Sequence, residues 1–509
     1  MKIKSIISII ILLAFNNACT DLSEKLYDRV TTSEYGLTEG EIETIVGRAY
    51  ASLRGYSDNA SGGTHAYPAC EYVFFLTSVS SDECTLPTRY GGDWFDDGQY
   101  QELHKHTWKS NNKTIWSAWK YCYSGVSSVN AVIYQTEKSP LTDEAKEKIF
   151  AELRAIRAYY YYRLLDLFGN VPITTNYEDL ELPSNSSRAD VYAFVENELL
   201  DIIDLLPVNG YGRMTQNAAN CLLARLYLNS EVYIGQPRWQ DCLDVCAKIT
   251  GSLEADYFTN FLTNNEISQE IIFAIPYDHK AGTVGNYMAS MTFHYEQKWA
   301  ISAAGDYQWC GNGMCAQPGL YSSFDESDIR RKSLLIGEQI DLRTNSVIIM
   351  PGNGGNQPLI YTEDISDFTS SLQNEGARLK KYEVKAGETW ERDHDLVIMR
   401  YAEVLMMQAE CYVRLGASAQ ARPYVEQIRS RAGLSTPETI DLNFINEELK
   451  HEFVFEDHRR TDNIRFGDFF NAWWEKSADP GDKHTGIFPI PSFERQKNSK
   501  LIQNPGYTD

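Results

Sequence analysis

Two stretches of this 509-residue chain set aromatic side chains among polar ones with no helical period. The first runs from Ser81-Asp82-Glu83-Cys84 through Arg89, Gly92, Asp93, Trp94, Phe95, Asp96 and Asp97 to Gln99. The second runs from Tyr295-Glu296-Gln297-Lys298-Trp299 through Asp306, Tyr307, Gln308 and Trp309 to Asn312. A sugar offers flat C–H faces and a rim of hydroxyls, so flat Trp or Tyr rings with Asn, Asp, Arg or backbone groups beside them suit it. Trp94 lies among glycines and acids, a poor setting for a core residue. The competing reading for Trp94, Trp299 and Trp309 is an apolar plug beneath a long loop. Arg378, in EGARLKKYEV, is placed to reach hydroxyls from a loop, or it is a solvated charge beside Lys380 and Lys381.

Catalysis is not signalled. With 70 Asp and Glu residues, carboxylate pairs arise everywhere by chance, so Asp93, Asp96 and Asp97 carry no glycosidase assignment. No G-x-S-x-G elbow, H-E-x-x-H pair or Gly-rich phosphate loop occurs. His65, His104 and His106 lie near the first stretch and are read as structural. Cys242 and Cys246 share a helix face, but no further Cys pair or His stands at zinc spacing. Asp325 and Asp328, in FDESDIRR, are expected to pair with Arg330 or Arg331 and show no calcium-loop spacing. The expectation is a binding protein with no metal and no cofactor, and the formal charge of -23 argues against nucleic acid as a partner.

The elements that must carry these loops are helices. In Leu396 to Gly433, Ile398, Ala402, Leu405, Ala409 and Tyr412 recur at steps of three and four, Gly416 stops the helix, and Ala421, Tyr424, Val425, Ile428 and Ala432 begin a second stripe that Gly433 ends. Pro423 is expected in the first turn of that second helix. This is the unit of a tetratricopeptide-class repeat, and one unit cannot bury its own apolar face. Further stripes run from Glu41 to Leu53, Ile115 to Ile133, Ala145 to Leu167, Asp190 to Leu206, Ala218 to Tyr227 with Thr215 as cap, Trp239 to Ile249, and Leu442 to Asp457. Trp116, Trp119 and the run Tyr159 to Tyr162 fall on helices and are assigned to the core.

The scaffold is thus expected over about 41-54, 112-250 and 396-457. Irregular insertions fill about 55-111 and 251-395, and a Pro-rich tail at 484-509 is expected to be without regular structure. Met1 to Ala18 has the form of a signal peptide, with Lys2 and Lys4 before an apolar run too short to span a bilayer. Ala18-Cys19 resembles a lipoprotein cleavage site, which would make Cys19 the acylated first residue and 19-40 a tether; an ordinary secretory signal is the alternative. The other nine cysteines are an odd count, and Cys310 and Cys315 are either a small bridged loop or buried thiols.

Several stretches resemble the SusD/RagB family of outer-membrane lipoproteins: ELRAIRAYYYYRLLDLFGNVPI, AANCLLARLYL, RYAEVLMMQAEC, RSRAGL, EFVFEDHRRTDNIRFGD and the ending FPIPSFE to QNPGY, in the family's order. The resemblance implies a mostly α fold, in which four tetratricopeptide-like helix pairs form a right-handed superhelical scaffold under an irregular, loop-rich ligand-binding subdomain. It implies a glycan-binding lid on a SusC-like TonB-dependent barrel, lipid-anchored in the outer membrane and facing outward. It also implies aromatic platforms in the two loop regions, so the candidate glycan contacts are Trp94, Asp96, Arg89, Asp82, Trp299, Tyr307, Trp309, Asn312 and Arg378. A peptide-binding relative, a surface hydrolase and a scaffold that binds only the barrel are the competing expectations.

Overall fold

The computed structural model describes residues 39–55, 69–278, 286, 288–297, 310–352, 355–385 and 393–508. The signal segment, Cys19, and the candidate residues Trp299, Tyr307 and Trp309 lie outside the described residues. No helix among those described is long and apolar enough to cross a membrane.

Helices α1 (Glu39–Ser52), α2 (Ala69–Val79) and α3 (Gln99–Lys105) precede the long pair α4 (Lys113–Lys138) and α5 (Asp143–Leu167). Then come α6 (Arg188–Leu200), α7 (Gln216–Leu228) and α8 (Trp239–Cys246). Their starts are written in side chains. Asn112 accepts from the amides of Thr114 and Ile115, Thr142 from Ala145, Thr215 from Ala218, and Ser187 forms a reciprocal box with Asp190. The chain turns back after each helix, so α4 lies on α5, α5 on α6 and α7 on α8. The α4–α5 approach is close because Gly125 has no side chain: a Cβ there would sit 2.0 Å from the Tyr160 ring. Tyr159 to Tyr162 are all buried, as expected, and so is Trp119, whereas Trp116, also assigned to the core, is only half-buried and stacks on Phe493.

After α8 the chain leaves the stack. It returns through strand β10 (Leu396–Arg400), which pairs antiparallel with β2 (Ile271–Ile275), and runs into α9 (Tyr401–Arg414). Helix α8 packs directly on α9, and α9 on α10 (Ser418–Ala432), so the helical stack continues as though the insertion were absent. Helices α11 (Leu442–Glu452) and α12 (Arg459–Phe466) close it. The insertion holds short antiparallel pairs: β3 (Cys315–Ala316) with β1 (Cys84–Thr85), β4 (Leu334–Leu335) with β9 (Arg378–Leu379), β5 (Gly337–Glu338) with β8 (Ile360–Tyr361), and the hairpin of β6 (Ile349–Gly352) and β7 (Gly355–Pro358).

A buried charge cluster rivets insertion to stack. Arg400 binds Glu270 at 2.9 Å, Glu452 at 2.6 Å and Glu456 at 2.7 Å; Arg330 binds Asp328, Glu448 and Glu452; Arg431 binds Glu270 and Glu452. Asp328 therefore pairs with Arg330 as expected, whereas Asp325 accepts from Ser327.

Several expectations need correction. Helix α2 lies inside the segment taken as irregular, because Val73 through Val79 are buried throughout and show no polar face to give a period. Residues 396–400 are a strand, since the backbone of that segment is claimed by β2. Pro423 sits in the second turn of α10, which starts earlier than its apolar stripe. The helix after Asp190 stops at Leu200. Ser492–Lys497 forms a short helix within the Pro-rich tail.

Candidate functional site

The loop between β1 and α3 is closed by its own backbone hydrogen bonds. Its turn is closed by the Arg89 amide donating to Asp93 O at 2.9 Å and the Gly92 amide to Arg89 O at 2.9 Å. Gly91, Gly92, Trp94, Asp96, Asp97 and Gly98 all have positive φ. That conformation is easy for glycine and costly for a bulky residue such as Trp94, at φ 61°. Strain of this kind persists only where surrounding contacts over-determine it, and it gathers at ligand sites.

Those contacts start from Arg89. The side chain is fully buried: Nε donates to Asn312 O at 2.8 Å, Nη2 to Gly313 O at 2.8 Å, and Nη1 to Glu375 O at 2.9 Å, Leu372 O at 3.2 Å and Ser371 Oγ at 3.2 Å. Burial beside Arg378 lowers its pKa to about 10. Arg378 is equally buried; it lies 4.7 Å over the Tyr361 ring and donates to Asn312 Oδ1 at 2.8 Å and Gln373 O at 2.7 Å. Asn312, also fully buried, is thus held from both ends. Asp82 is held by Arg459 at 2.6 and 2.8 Å and by Asn463 at 2.7 Å, and the guanidinium keeps its carboxyl well below the usual range despite burial.

Asp82, part-exposed, is tied to α12, and Arg89, Asn312 and Arg378, also taken from the sequence as candidate glycan contacts, are in this fold the fixings of the loop. Their polar groups face the protein interior, and neither a hydroxyl contact nor a solvated charge describes Arg378. His104 and His106 are likewise internal: His104 Nε2 meets Trp474 O at 2.7 Å, and His106 bridges Asp479 and Ser80 O. Burial lowers their pKa values to about 3 and about 4, so both rings are neutral.

Tyr90 and Phe95 face the other way, whereas the Trp94 indole turns inward as a plug under the loop. Trp94 is half-buried, its Nε1–H donating to Gly311 O at 2.5 Å and its indole edge-on to Phe75 and beside Tyr100. Gly313 makes room for it, since a Cβ there would stand 2.6 Å from the indole. Tyr295 donates its hydroxyl to Asp93, so the two stretches marked in the sequence meet in space. Asp96 is exposed; partial withdrawal from water and the neighbouring Asp93 and Asp97 raise its carboxyl pKa. Tyr90 and Phe95, each 51% exposed, stand on the same turn.

Beside Tyr90 opens a cleft of about 280 Å³, walled by the β6–β7 hairpin through Pro351, Gln357 and Pro358 and by Leu372, Gln373 and Asn374. Sequence reasoning missed Tyr90 as a ring and missed this hairpin altogether. Tyr90 had a signal, since it directly precedes the GGDW turn; the hairpin is remote in sequence and had none. Cys310 and Cys315 are both buried.

Comparison with known proteins adds to this geometry. Residues 269–507 match a family model described as the SusD family, and residues 78–228 match one described as starch-binding associating with outer membrane. The chain is similar to the starch-binding protein SusD of Bacteroides thetaiotaomicron, 27% identical with 86% of this chain and 85% of that protein covered. It is also similar to SusD-like protein P2 of Formosa agariphila, 24% identical with 98% and 99% covered. Among solved structures, surface glycan-binding protein A from Bacteroides thetaiotaomicron in complex with laminarihexaose shares the fold at a TM-score of 0.71 and 22% identity, covering 92% of this chain and 99% of that one. A laminarin-binding SusD-like protein matches at a TM-score of 0.70 and 21% identity, with 92% and 100% covered.

Proposed function

The chain belongs to the SusD/RagB family, and on that footing we propose that it is a non-catalytic glycan-binding protein whose ligand meets the loop Arg89–Gln99 and the cleft beside it. The observation that carries the reading is the inverted polarity of that loop. Its one guanidinium and its amides are spent internally and Trp94 plugs the loop from beneath, while Tyr90, Phe95 and the Asp96 carboxylate remain toward solvent. Rigid aromatic faces with an acceptor at the edge lose little conformational freedom when a sugar stacks on them. The names of the relatives, starch-binding and laminarin-binding among them, support the same ligand class.

The finer part of the proposal is where and with whom the protein works. Acylated Cys19 would anchor it at the outer membrane, with residues 19–40 as tether, and a SusC-like TonB-dependent barrel would take the sugar from beneath it. Shared contact by lid and barrel raises effective concentration, so the pair should hold an oligosaccharide more tightly than this chain alone. Equal affinities would count against the lid role. Labelled palmitate incorporation, abolished in Cys19→Ala, tests the anchor.

The direct test is calorimetric titration of the chain from residue 20 onward against soluble oligosaccharides, with Tyr90→Ala and Trp94→Ala beside it. At least a tenfold loss of affinity in each variant, with the circular dichroism of the fold retained, is the expected result. Binding untouched by both variants would place the ligand elsewhere.

A further inference from the structure

The chemistry around the Tyr90 cleft also limits which glycans fit. We propose that the site accepts uncharged glycans and turns away those bearing uronate or sulfate groups, an inference that rests on the glycan reading above.

The argument begins with the walls. Tyr90, Pro351, Pro358 and Leu372 offer ring and aliphatic surface, and the polar members are carboxamides: Gln357, Gln373 and Asn374. A carboxamide both donates and accepts, which suits a hydroxyl that does the same, and it brings no net charge to neutralise a carboxylate or sulfate. Recognition of planar anions falls instead to guanidinium forks or ammonium groups. Among the described residues, the two guanidinium groups closest in sequence to these walls, Arg89 and Arg378, are fully buried and turned inward onto carbonyls, Asn312 and the Tyr361 ring. Lys113, which reaches back to this loop, is paired with Asp97 at 2.7 Å.

The rim carries the opposite sign. Asp93, Asp96 and Asp97 are exposed on the turn that presents Tyr90, and the Arg89–Asp93 backbone bond ties Tyr90 and Asp93 into one tight bend. Asp96 has a raised pKa partly because Asp93 and Asp97 crowd it, a sign that negative potential already accumulates there. At physiological ionic strength charges act over about 8 Å, and a single bend falls within that reach. The chain's formal charge of -23 adds a repulsive background to any polyanion.

The test uses oligosaccharides of matched length. Neutral gluco-, manno-, xylo- and galacto-hexamers are titrated against oligogalacturonate, oligoalginate and sulfated carrageenan hexamers, at 25 and 150 mM NaCl. The expected result is a neutral ligand bound at least tenfold more tightly than any acidic one, with the acidic members improving as salt rises. Gln357→Lys, an exposed hairpin position, supplies the missing cation and is expected to raise acidic affinity at least threefold. An acidic hexamer bound as tightly as the best neutral one overturns the inference while leaving the glycan reading intact. So does neutral binding in the wild type with no gain for acidic ligands in Gln357→Lys. Silence across the whole panel overturns the glycan reading and this inference with it.

Discussion

Arg89 shows how residue type alone misleads at a binding loop. An arginine among aromatic and acidic residues suggests a hand held out to a ligand, but all of its nitrogens are occupied by protein acceptors from residues 312 to 375. Its work is to make a strained turn stable enough to carry Tyr90, Trp94 and Phe95. Replacing it by methionine keeps volume and leaves several buried carbonyls without donors, at about 1–3 kcal/mol apiece before relaxation. Arg89→Met is therefore expected to lower the unfolding free energy by about 3 kcal/mol in urea titration. Unchanged stability with lost binding would instead make Arg89 a ligand contact.

At the level of elements, the site is the junction of the β1–α3 loop with the segment that begins at Cys310. Gly313 is the contact point, where absence of a side chain lets the indole of Trp94 lie against the backbone. Adding one methyl group forces the ring to shift by several tenths of an ångström or more, and overpacking of this sort costs about 1–3 kcal/mol. Gly313→Ala is expected to weaken oligosaccharide binding at least threefold with Tm lowered by only a few degrees. Binding that survives intact would show that the position of Trp94 is immaterial to the ligand. The same reasoning explains why the helix pairs were legible and α2 was not: amphipathic helices advertise a period, and a helix buried on every side advertises only apolarity.

For the molecule as a whole, the buried charges between insertion and stack decide whether loop and scaffold behave as one body. Glu452 receives Arg330, Arg400 and Arg431 together, and the three guanidinium groups hold its carboxyl far below the usual range despite burial. Removing a shared partner strands like charges in the interior, so Glu452→Ala is expected to cost about 3–5 kcal/mol, and a loss under 1 kcal/mol would contradict the rivet. Buried imidazoles set the acid limit. Burial lowers His104 and His451 to about 3 and His106 and His294 to about 4, below the ordinary 6.5. The unfolded chain then binds more protons than the folded one between pH 6.5 and 4. Stability is complete above pH 6.5 and falls as pH drops through that window, by up to about 1.4 kcal/mol per pH unit for each ring. Urea midpoints at pH 7, 6 and 5 check this, and a flat series would refute it.

The sequence by itself determined the helical scaffold, the cap at Thr215, and the family, because periodicity and capping are local and the family's motifs lie on those same helices. It also marked the two aromatic stretches that the fold brings together through Tyr295 and Asp93. Only the tertiary structure decided which way each polar group points. Arg89, Asn312 and Arg378 turned inward because irregular backbone, lacking ladder partners of its own, must satisfy its buried carbonyls with side-chain donors from residues far along the chain. The cleft depends on the same kind of distance: Tyr90 and the hairpin at 349–358 become neighbours only when the insertion folds back across the loop, and no local pattern records a contact over that separation.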